Sequence, residues 1–162
     1  MAYAPSPSDS RYAARTVRFG VALLGGAAGA GLWELLAAQV PGSPLYIGVL
    51  PGPIGALREM TLMLSLLSMA AGALMPWAYG AQVDGRRAKV VTGFLLAGAL
   101  IAIAAQTYGA ANGMHGAQMS DLRADARAVF FIRHGGLLLF ALGWLDVGWR
   151  VLRHRSPGAP PT

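Results

Sequence analysis

The chain contains no cysteine, which removes disulfides, thiolate catalysis, cysteine-ligated zinc and iron–sulfur clusters in one step. Charge is also scarce. Asp, Glu, Lys and Arg make up 12% of the 162 residues, where a soluble domain usually carries about 25%. The other side of that shortage is a 55% hydrophobic content, more than so short a soluble chain could bury, so lipid is the expected solvent. Acidic residues number only 7 against 13 Lys and Arg, a net charge of +6. On a soluble fold that excess would suggest nucleic acid. Here most of the cations sit in short segments flanking apolar runs, where topology and anionic lipid account for them, and no nucleic-acid partner is expected. No phosphate-binding glycine motif is present either. The 22 glycines fall largely within apolar stretches, where small residues let membrane helices approach closely.

What the chain does hold is four long apolar stretches. They predict an all-α, polytopic integral membrane protein, a four-helix bundle with spans at about 17–40, 54–80, 89–109 and 127–151. Residues 1–15 read as a flexible tail, 16–155 as the transmembrane domain and 156–162 as a flexible Pro-rich tail. Counting Lys and Arg sets the orientation. Arg11, Arg15, Arg18, Arg86, Arg87, Lys89, Arg150, Arg153 and Arg155 fall on one side, and Arg58, Arg123, Arg127 and Arg133 on the other. Both termini are therefore expected in the cytoplasm, the membrane being of the bacterial inner (plasma) type.

The fourth stretch carries Arg133 and His134 inside one end and Asp146 near the other. An ionised group at depth costs a few kcal/mol unless something pairs with it, so the other spans should supply partners. Alternating spans bring Glu34, Arg58, Glu59, Arg133, His134 and Gln106 to similar depth near the outer face. These six are the candidate ligand-binding set, with His134, Glu59 and Glu34 as candidate catalytic residues. The same groups could equally be a structural ion-pair network. No metal site is expected, although an imidazole in a span invites a haem reading for His134. Asp146 has Arg150 four residues on, enough for a local ion pair. Along the second span Arg58, Thr61, Ser65, Ser68 and Gly72 follow a 3-4-3-4 spacing, a polar and small stripe that should face protein. The third span is built on Gly93, Ala97, Gly98, Ala102 and Ala105. In the first, Gly25 and Gly29 form a GxxxG pair, the expected surface for a homo-oligomer or hetero-complex.

The turn Val40-Pro-Gly-Ser-Pro44 and the Leu74-Met-Pro76 stop before a basic turn resemble, in layout over about a third of the chain, the small membrane-bound styrene oxide isomerases. That resemblance implies haem and epoxide rearrangement. It departs where the family places its haem histidine, early in the second span, since Arg58-Glu59 stands there in this chain.

Two functional expectations follow. The leading one is a small integral membrane protein serving as an accessory or scaffold subunit of a membrane complex, its outer polar cluster binding a ligand or partner. The alternative is a membrane-embedded enzyme or redox subunit, haem- or quinone-binding or epoxide-isomerase-like, acting on a small lipophilic substrate.

Overall fold

The computed structural model describes residues 10–39, 51–112 and 124–154, apart from the side chains of 37–39, 51–54, 81 and 154. The described residues form four long helices, α1 (Arg11–Gln39), α2 (Pro51–Tyr79), α3 (Arg86–Ala111) and α4 (Ala124–His154), with a 3-10 turn at Gly80–Gln82. All four are long and apolar enough to cross a membrane.

α1 begins earlier than the composition of the tail suggests, because its first turn is capped twice. Ser10 Oγ accepts the N–H of Ala13 at 3.3 Å. The Asp84 carboxylate, from the turn between α2 and α3, accepts the N–H of Tyr12 at 3.4 Å and the Ser10 hydroxyl at 3.3 Å. A negative charge over the positive end of a helix dipole favours that start. The expected tail at 1–15 is thus corrected for 11–15, which are helical. The remaining tail residues 1–9 and 156–162 lie outside the described residues. α2 stops at Gly80, whose φ of 52° is left-handed backbone that glycine adopts without a Cβ clash.

Helices pair first as antiparallel hairpins, α1 with α2 and α3 with α4, each closed by glycine. A Cβ on Gly20 would come within 3.0 Å of Ser65 O and Met69 N, and one on Gly72 within 3.0 Å of Ala13 O and Val17 N. In the second hairpin Gly98 meets Gly136 O and Phe140 N, and Gly136 meets Ala102 N, just as closely. Backbones in direct contact gain dispersion energy along their length, the main attraction open to helices whose surroundings are as apolar as their side chains. The polar stripe of α2 faces protein as its spacing predicts: Thr61, Ser65, Ser68 and Gly72 are all buried.

The hairpins then meet along α2, which packs against both α4 and α3. Of the most apolar window of each helix, 44% is buried in α2 and in α3, against 11% in α1 and 17% in α4, so α2 and α3 form the central pair. Leu64, Met75, Leu95, Phe140 and Val147 fill the middle. Among the described residues, every hydrogen bond between the hairpins lies in the half nearer the termini. Thr92 reaches Thr16 at 3.4 Å and Met75 Sδ at 3.8 Å, the Trp144 indole donates to Leu67 O at 2.9 Å, and Tyr79 donates to Asp146 at 2.7 Å. The outward faces are apolar on every helix, with Leu35, Trp77, Leu100 and Leu145 all more than half exposed. Such a surface suits lipid and would be an aggregation liability in water.

Candidate functional site

The ionisable groups lie in two layers. From Met60 to Ala78, α2 holds no charged side chain, about 28 Å of helix at ~1.5 Å per residue, close to the ~30 Å hydrocarbon thickness of a bilayer. One layer sits at the termini end and the other at the far end.

The far layer is where the six candidate residues fall, and it is divided by hairpin. In the first hairpin, Arg58 of α2 pairs with Glu34 of α1. Gly31 and Gly55 leave room for the pair: a Cβ on Gly31 would touch the Arg58 stem at 3.4 Å, and one on Gly55 would touch Glu34 Oε1 at 3.3 Å. In the second hairpin, Arg133 of α4 donates to Gln106 Oε1 of α3 at 2.8 Å, with its guanidinium 5.5 Å from the Phe130 ring centre. Among the described residues no hydrogen bond or ion pair joins these two couples. His134 is exposed and tied to its own helix, with Nδ1 2.7 Å from Phe130 O and the imidazole stacked on the Phe130 ring at 3.8 Å. Glu59 is exposed on α2. Of the six candidates, four therefore form two couples that each join the helices of one hairpin, an ion pair at Arg58–Glu34 and a bond from Arg133 to a neutral amide, and the other two, Glu59 and His134, are exposed. Among the described residues no three His, Asp or Glu side chains are placed to hold a metal ion.

The termini layer is denser than its sequence suggested. Asp146 on α4 is met by Arg150 at 3.2 Å, as the four-residue spacing predicts, and also by Arg87 of α3 and the Tyr79 hydroxyl of α2 at 2.7 Å. Arg150 lies over the Tyr79 ring at 5.0 Å. One carboxylate thus collects donors from three helices and locks both hairpins together. Each charge-assisted bond is worth roughly twice a neutral one. Tyr79 and Arg87 were not singled out by spacing. The signal that could have found them is depth, since both stand at the termini end of their helices, level with Asp146.

A concavity of about 480 Å³ opens beside this lock, lined by Tyr79, Gln82, Asp84, Arg86, Arg87 and Arg150. A second hollow, about 610 Å³ and almost wholly apolar, runs between α2 and α4. Compared with known protein families, curated proteins and solved structures, the chain matches none of them.

Proposed function

We propose that this chain is a non-catalytic integral membrane protein, an accessory or scaffold subunit that receives a partner helix on the Gly25 and Gly29 face of α1. The observation that carries the reading is the state of that face. Nothing lies within 4 Å of where a Cβ would stand on Gly25, Gly26 or Gly29, on the helix that the rest of the chain covers least. Four other glycines of the apolar helices, Gly20, Gly72, Gly98 and Gly136, are matched by a backbone in contact, whereas Gly93, Gly135 and Gly148 stand open singly rather than as a patch. A partner approaching α1 in the same way gains the same close packing. Glu59, exposed near the Arg58–Glu34 pair, offers that partner or a small ligand a carboxylate at the far end.

The protein resides in a bacterial-type inner membrane with its termini in the cytoplasm. The excess of Lys and Arg in the α1 start, the turn before α3 and the α4 end supports that orientation. A haem- or quinone-dependent or epoxide-rearranging enzyme has less behind it, because Glu34 is held by Arg58 and His134 by its own helix.

The test is purification in mild detergent of the wild type and of Gly25→Leu/Gly29→Leu. The wild type is expected to run on native gels as a defined assembly with a second copy or another subunit. The variant should run as the folded single chain, with unchanged helical circular dichroism. An assembly that survives the substitution overturns the proposal.

A further inference from the structure

We propose that the apolar groove between α2 and α4 is a binding site for one acyl chain of an anionic phospholipid, whose phosphate meets Arg153. This goes beyond the scaffold reading and rests on the membrane reading alone.

The groove is lined by Met63 and Leu67 on α2 and by Phe140, Trp144, Trp149 and Leu152 on α4. Its floor offers nothing polar to an entering group, because the Trp144 N–H is already donated to Leu67 O at 2.9 Å. Gly148 lines it too, and nothing lies within 4 Å of where its Cβ would be. The hollow is therefore open down to helix backbone.

Direction identifies the occupant. From Leu152 to Leu137 the α4 wall measures about 22 Å at ~1.5 Å rise per residue. That is the depth of one leaflet's hydrocarbon, about half of ~30 Å, plus part of the headgroup zone. The termini end of this stretch is marked by two widely exposed tryptophans, Trp77 and Trp149, the residue type that settles at the level of lipid headgroups. The hollow thus follows α4 from the interface to near mid-bilayer, with α2 closing its inner end at Met63, Leu64 and Leu67, the course of a single lipid chain.

The mouth supplies the charge. Arg153 stands four residues beyond Trp149 on the same face of α4 and lies 4.8 Å over its ring centre. This cation–π contact holds the guanidinium at the mouth with its donors available. Arg150, by contrast, is engaged by Asp146. A guanidinium fixed above an apolar slot matches a phosphate above an acyl chain, and its positive charge favours a headgroup with no cation of its own.

Native mass spectrometry of the full chain, released from detergent with added phosphatidylglycerol or phosphatidylcholine of identical chains, tests this. The wild type should retain one lipid and prefer phosphatidylglycerol by about fivefold, the worth of one Arg near an anionic surface. Arg153→Gln should bring that preference close to one while one lipid is still retained. Gly148→Leu, whose side chain grows into open space, should cut retention of both lipids. Unchanged retention in Gly148→Leu, or unchanged preference in Arg153→Gln, overturns the proposal, as does a Gly148→Leu chain that keeps its lipid and changes its oligomeric state. Resistance of the wild type to alkaline carbonate extraction is scored separately and reports only on the membrane reading.

Discussion

Ser65 and Ser68 are one turn apart on α2 and both fully buried, yet they act on stability in opposite directions. Ser65 Oγ donates to Gly20 O at 2.7 Å across the tightest part of the first hairpin, whereas Ser68 Oγ is buried without a partner among the described residues. Ser65→Ala should cost about 0.6 kcal/mol, the average for a hydrogen bond between membrane helices. Ser68→Ala should be neutral or stabilise by up to ~1 kcal/mol, because it removes an unsatisfied hydroxyl. Unfolding in mixed detergent micelles checks both, and a larger loss for Ser68→Ala would show that its hydroxyl has a partner. The stripe holding these residues could be read from 3-4 spacing. Which hydroxyl is bonded could not, because that depends on the α1 carbonyl that Gly20 brings opposite. Asp146 repeats the lesson. Its bond to Arg150 is four residues long and legible, while its bonds to Tyr79 and Arg87 span 67 and 59 residues. Asp146→Asn should therefore cost more than a local i, i+4 pair is worth. The expected loss is about 2 kcal/mol, below that of a fully buried pair because Arg87 is exposed.

At the scale of the element, existence was easier to read than contact. Each helix is announced by an apolar run long enough to span lipid, and the observed ends differ from the expected ones by at most six residues, at the start of α1. This largest difference comes from a cap, Asp84, that composition does not show. The small residues on which α3 is built divide between two faces. Gly98, Ala102 and Ala105 are buried, whereas Gly93 and Ala97 face outward. Gly98→Ala should thus destabilise by about 1–3 kcal/mol, since its Cβ would strike the α4 backbone. Gly93→Ala should be neutral or gain up to ~1 kcal/mol of helix propensity. The same measurement separates them, and equal effects would mean that α3 does not meet α4 through Gly98. The far-end charges were read as one cluster, at a depth that the helices do share. They form two couples because polar side chains bond across the helices whose backbones already touch, and those are hairpin partners. Spacing along a helix carries depth and face, but not which neighbour is nearest.

For the whole molecule the question is which way it threads the bilayer. The arrangement places the Arg86–Arg87–Lys89 turn, the start of α1 and the end of α4 together at one end of the bundle. Retaining such a concentration of Lys and Arg on the cytoplasmic side is what membrane insertion favours. The absence of cysteine makes the prediction easy to test, because any introduced thiol is the only one. Gln82 and Asn112 are both exposed, Gln82 in the turn at the termini end and Asn112 at the far end of α3. In intact cells a membrane-impermeant maleimide should label Asn112→Cys and leave Gln82→Cys unlabelled until the membrane is opened. The reverse pattern would put the termini outside, and Arg153 with its groove would then face the outer leaflet. Labelling of both sites in intact cells would deny that the 86–111 segment crosses the bilayer. The division of the charges into two layers about one hydrocarbon thickness apart would then need another cause.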